Sequence, residues 1–140
     1  MSTRRVLVFA TLLVLLGAGL LSAANDIRQN GSLWAAIEDD GTFRINGSIV
    51  GQFEADGTVR KNGSIVGAVE ADGTIRLNGS IVGEIEESGT LRKNGSIYGT
   101  IENDGTIRKD GSIWGSAAAA GTFDQKRAIA ALLFFFCEEY

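Results

Sequence analysis

The chain has no histidine, no proline and a single cysteine in its 140 residues. Without histidine it lacks the side chain that most often serves as general base or metal ligand near neutral pH. One thiol, Cys137, cannot close an internal disulfide, and a thiolate zinc site needs several Cys or His ligands. Positive charge is also short: 13 Lys and Arg stand against 17 Asp and Glu, a formal charge of −4. A net-acidic chain offers nucleic acid no electrostatic footing. Between Asp26 and Phe123 the apolar residues show no helical spacing.

Glycine, by contrast, is abundant, and all but Gly17 and Gly19 of the 19 glycines fall in phase with one another. The phase belongs to a 16-residue unit, cleanest from Asn62 to Leu77 as NGSIVGAVEADGTIRL, with copies starting at Asn30, Asn46, Asn62, Asn78, Asn94 and, degraded, Asp110. A fixed period of this size marks a repeat architecture in which a single unit cannot bury its apolar face alone.

The N-terminus has a different composition. Arg4 and Arg5 precede an apolar run from Val6 to Leu21, and Ser22, Ala23 and Ala24 follow. A basic start, an apolar centre and small residues before a cut are the marks of a secretory signal peptide. Residues 1–24 are therefore expected to be a signal peptide cut after Ala24, or an uncleaved membrane anchor. The run is somewhat short of the ~20 residues that span a bilayer. On this reading residues 25–125 form the β-repeat domain and 126–140 an apolar closing segment.

Each unit carries two turn signals. One is Asn-Gly, as at Asn46–Gly47, and the other Asp-Gly, as at Asp56–Gly57. Both tolerate the positive φ angles of type I′ hairpin turns. Between them lie a short and a longer β-branched stretch, such as Thr74–Leu77 and Ser80–Glu86, suited to a pleated surface. Four apolar columns are expected to form the core, and they run through Phe43, Ile49, Phe53 and Val50 and their equivalents. The Arg44 and Glu38 columns can pair across strands, each exposed pair worth about 0–1 kcal/mol. Glycine inside a strand weakens it and signals a close backbone approach, so the column from Gly51 to Gly115 implies one such approach per unit. Hairpins converging on an axis satisfy this, and so do the corners of a parallel coil.

The tail Asp124–Tyr140 reads DQKRAIAALLFFFCEEY. Asp124 is placed to cap a short helix through Ala131. Leu132–Phe136 reads as a buried strand or plug, because three consecutive Phe in water make an aggregation-prone patch.

The repeated NGSIVGxIExDGTIRx unit, the leader before it and the AALLFFF ending resemble the bacterial 5-fold β-flower proteins over about Asn25 to Phe136. That resemblance implies a secreted or envelope all-β protein, with hairpin petals in a closed pseudo-fivefold ring and no assigned activity. The GSIVGEIE phrase more weakly resembles the bactofilin β-solenoid, and the unit more distantly resembles MORN hairpins. Bactofilins are cytoplasmic-side polymers, which sets them apart from a chain read as exported. The expected fold is thus all-β with 16-residue hairpin repeats, a parallel β-solenoid being the alternative.

Functional residues are sparse. The Asn-Gly-Ser triplets match the N-glycosylation pattern, but the turn already accounts for them. The loop Glu102–Asp104 lacks EF-hand ligand spacing. Repeated carboxylates do not provide the two contrasting environments that an acid–base pair needs. Trp34, Tyr98 and Trp114 are the candidate ligand contacts. The expectation is a non-catalytic structural or interaction protein, secreted or periplasmic in the cell envelope of a bacterium. It calls for no metal or cofactor. Its partner would be a protein, a glycan or further copies of itself, with membrane contact only through residues 1–24. The alternatives are a glycan- or peptide-binding module and a polymerising β-solenoid.

Overall fold

The computed structural model describes residues 24–140. The expected leader falls, apart from Ala24, outside the described residues. Twelve strands follow: β1 (Asn25–Gln29), β2 (Ser32–Ile37), β3 (Thr42–Ile45), β4 (Ser48–Phe53), β5 (Thr58–Lys61), β6 (Ser64–Val69), β7 (Thr74–Leu77), β8 (Ser80–Ile85), β9 (Thr90–Lys93), β10 (Ser96–Ile101), β11 (Thr106–Lys109) and β12 (Ser112–Ala117). One helix, α1 (Phe123–Phe136), ends the chain.

The strands form a closed barrel in which each pairs antiparallel with its sequence neighbours. The last strand closes on the first, Gly115 opposite Gln29 and Ala117 opposite Ile27. Asn25 reinforces this seam: its side-chain amide donates to the Ala119 carbonyl at 2.6 Å, and its oxygen accepts from the Ala119 N–H at 2.9 Å. The ring therefore holds six hairpins, not the five expected, because the degraded copy at Asp110 pairs as fully as the rest. It is built of hairpins and not of the stacked parallel coils held as the alternative.

The two turn types differ more than their sequences suggest. At the Asn-Gly turns Asn62 has φ 52° and Gly63 has φ 86°, the type I′ geometry that matches strand twist. At the Asp-Gly turns only the glycine has positive φ, 95° at Gly57. There the Gly57 N–H donates to the Glu54 carbonyl at 2.9 Å, and the Glu54 N–H to the Thr58 carbonyl at 2.8 Å. This is a type I turn closed by a left-handed glycine, in place of the expected type I′. The Asp side chain braces it, Asp56 Oδ1 accepting from the Thr58 N–H at 3.0 Å.

A β-bulge decides which apolar columns are inside. In the β3–β4 hairpin Phe43 lies opposite Gly51 and Arg44 opposite Ile49, so Val50 has no partner. The same slip recurs in the other five hairpins. An extra residue reverses the alternation beyond it. Gly51 is buried and Val50 half-buried, while Ile49 points out. The column Leu33, Ile49, Ile65, Ile81, Ile97 and Ile113 is therefore exposed, contrary to its expected place in the core. The Phe43 column does fill the interior, from Ile27 to Ile107, and the Ile37 column joins it through Val69, Ile85 and Ile101.

Helix α1 occupies the lumen. Thr122, not Asp124, caps it: the Gln125 N–H donates to Thr122 Oγ1, and Gln125 Oε1 accepts from the Thr122 N–H, both at 3.1 Å. This reciprocal box satisfies two donors that would otherwise be orphaned. The helix runs through Phe136, so Leu132–Phe136 is helical rather than a strand. Ile129 to Leu133 are fully buried. At about 1.5 Å per residue the 14-residue helix is about 21 Å long. It enters beside the Asp-Gly turns and ends beside the Asn-Gly turns.

Candidate interaction surfaces

The barrel has two unlike rims joined by a polar wall. On the wall five Arg side chains connect one turn type to the other. Arg60 Nε donates to Glu54 at 2.5 Å and its Nη1 to the Gly63 carbonyl at 3.1 Å. The motif recurs at Arg44, Arg76, Arg92 and Arg108, paired with Glu38, Glu70, Glu86 and Glu102.

At the Asp-Gly rim the plug is fastened by buried cations. Lys126, 2% exposed, donates to the Ala120 carbonyl and to Asn103 Oδ1, each at 2.6 Å. Arg127 donates to the carbonyls of Val69 at 2.6 Å and Glu70 at 2.8 Å. Its guanidinium also lies 5.4 Å from the centre of the Phe53 ring. A buried charge is tolerated only when hydrogen-bonded, and both groups meet that condition. A cleft of about 460 Å³ lies beside them, lined by Asn25, Asp40, Phe53, Asp124 and Arg127. The turn carboxylates on this rim are held below their ordinary pKa, chiefly by the Thr N–H each accepts.

At the Asn-Gly rim the end of the plug meets the glycine column. Phe136, Phe135 and Phe134 cover Gly51, Gly67 and Gly83 in turn, and Tyr140 covers Gly99. The Tyr140 hydroxyl donates to the Arg108 carbonyl at 2.6 Å. Ring closure brings the three candidate aromatics to this one mouth, although they are far apart in sequence. Trp114 packs edge-on against Trp34 at 5.6 Å and against Tyr140 at 5.4 Å, and Tyr98 lies 5.4 Å from Tyr140. Trp114 is 9% exposed, and among the described residues its indole N–H has no hydrogen-bond partner. A cleft of about 330 Å³ opens next to them, lined by Val82, Lys93, Tyr98, Phe134, Cys137 and Tyr140. Burial raises the pKa of Tyr98, Tyr140 and the Cys137 thiol, and a thiol kept protonated is a poor nucleophile. Among the described residues no group of three or more His, Cys, Asp or Glu is placed to hold a metal ion.

The surface that sequence reasoning missed is the exposed aliphatic column. The bulge that exposes it falls on the residue before the mid-strand glycine or Ala35, which is Trp34, Val50, Val66, Val82, Tyr98 or Trp114, and these share no one side-chain type that would announce it.

A bactofilin family model, described as polymer-forming cytoskeletal, matches residues 24–118. The chain belongs to the bactofilin family. No curated protein and no solved structure matches it. The match covers all twelve strands and stops before the helix. Of the resemblances seen in the repeat, the weaker one thus defines the family. It also corrects the compartment. A secreted or periplasmic placement rested on residues 1–24 and on the β-flower resemblance, and it is overturned by membership of a cytoskeletal, cytoplasmic-side polymer family. That family is structural, not enzymatic.

Proposed function

We propose that this chain is a non-catalytic structural subunit that assembles with copies of itself into a polymer. The family match across the whole β-repeat region carries this reading. The closed ring with a fastened plug supports it, since such a unit is rigid before assembly. Six petals around a plug also favour kinship with the β-flower architecture. Residues 1–24, basic and then apolar, fit a tether holding the polymer at a membrane surface. Negative-stain microscopy and light scattering of the full chain test the proposal. Filaments or large regular assemblies are expected, and a strictly monomeric species at high concentration would falsify it.

A second reading is a binding module for glycan or peptide. It is favoured by the convergence of Trp34, Tyr98 and Trp114 beside the Lys93 cleft. Trp34→Ala should then weaken a bound glycan without changing the melting temperature appreciably. A variant that only loses stability would assign Trp34 to packing alone.

A further inference from the structure

The aliphatic belt is the largest departure of this surface from an ordinary soluble wall. Leu33, Ile49, Ile65, Ile81, Ile97 and Ile113 are 54–64% exposed, each two residues past the glycine of an Asn-Gly turn or, for Ile113, of its equivalent Asp110–Gly111. Scattered exposed aliphatics need no explanation, but six at one level around a closed ring mark a contact site. The tips beside them stand clear, since among the described residues no atom lies within 4 Å of where a side chain on Gly47, Gly63 or Gly79 would begin. Clefts separate neighbouring tips. One of about 160 Å³ lies between Ile49 and Val50 on one petal and Arg60 and Asn62 on the next. Equivalent clefts follow at Ile65 and at Ile81.

Three observations say what covers this rim. First, barrel closure leaves no free edge among the described strands, so this sheet cannot be extended by another copy. Second, the charges of this rim balance, with Lys61, Lys93 and Lys109 set against Asp110, Glu138 and Glu139. The opposite rim is strongly acidic, exposing Asp39, Asp40, Asp56, Asp72, Glu87 and Asp104, and like-charge repulsion keeps two such ends apart. Third, tips alternate with gaps, three of them the clefts at Ile49, Ile65 and Ile81, and a rim of alternating tips and gaps is complementary to itself about a two-fold axis across the barrel.

We propose that two copies of this chain meet rim to rim through the Asn-Gly ends, the tips of each seated against the aliphatic belt and clefts of the other. The contact is isologous: the same patch serves both copies. The inference rests on the self-assembly reading above and names its surface. A rim-to-rim pair is closed, so it is the unit of assembly, and growth beyond it uses another face.

Sedimentation velocity of the full chain provides the test. The doubly substituted I65D/I81D chain should no longer form the rim-to-rim pair, its association weakened at least tenfold and any growth that remains passing through the other face alone. Glu87→Lys, on the acidic rim, should leave the pair intact. The milder I65T/I81T keeps the β-branched shape and should also weaken association, so the test survives if the Asp variant folds poorly. A wild-type polymer with unchanged assembly in both belt variants overturns the rim proposal and leaves the self-assembly reading standing. A wild-type chain that is monomeric throughout overturns both.

Discussion

Phe135 rests on Gly67 so closely that a Cβ added to the glycine would meet its ring at 2.7 Å and the Arg76 carbonyl oxygen at 2.1 Å. The mid-strand glycines Gly51, Gly67, Gly83 and Gly99 are thus the floor on which the aromatic residues of the C-terminal segment sit. Only the absence of a side chain lets ring, wall strand and neighbouring strand share that space.

Gly67→Ala is therefore expected to destabilise the barrel by about 1–3 kcal/mol or more, the usual cost of overpacking a filled core. Ser64→Val, on the exposed side of the same hairpin, should stay within about 0.5 kcal/mol of wild type. Thermal melts of both variants check the contrast. Equal melting temperatures would mean that the wall can give way at Gly67.

The repeat was legible because its turns are local. Asn62–Gly63 needs two consecutive positive φ angles, and few other pairs accept them. The place of Ile65 was not legible, because the bulge at Val66 reverses the faces after the alternation has been read. The helix was hidden for another reason. Leu132 and Leu133 are enclosed by barrel wall on every side, so their stretch shows no polar face and hence no period. Trp34 and Trp114 looked like ends of an array until closure placed them in edge contact. Pairing between first and last strands is a property of the ring, and no single unit encodes it.

The plug should be integral to folding. Leu133 is fully buried among wall residues, and Leu133→Ala removes apolar volume from a site that cannot collapse around the gap. A loss of about 2–5 kcal/mol is expected. The midpoint of urea unfolding should fall with the slope unchanged. A shift of under about 1 kcal/mol would indicate a helix that only visits the lumen.

Acid should weaken the barrel through its turns. The carboxyls of Asp40, Asp56, Asp72 and Asp104 have depressed pKa values, chiefly because each accepts a Thr backbone N–H. Their stabilisation is complete above the unfolded-state value of about 3.9, and it is lost as pH falls through the lower folded-state values. The melting temperature should thus drop on acidification below about pH 4. The D56N/D72N/D104N chain should show a flatter drop, and an identical acid limb would remove the turn carboxylates from the explanation.

Arg127 should hold the plug at the acidic rim. It donates to two carbonyls, of Val69 and Glu70, that belong to the wall strand and its turn, and it stacks near Phe53. Arg127→Met keeps much of the apolar stem but leaves both carbonyls without their charged donor. Hydrogen bonds to a charged group are worth about 1.5–3 kcal/mol, so a loss of that size is expected. Arg127→Lys should recover part of it, because an ammonium can reach one carbonyl but lacks the planar fork that spans both. Hydrogen exchange adds a local readout. The Val69 N–H, which donates to the Gly57 carbonyl at 2.9 Å, should lose protection in the Met variant before the Ile101 N–H across the ring. Uniform loss at both positions would show that Arg127 supports the whole barrel and not one point of attachment.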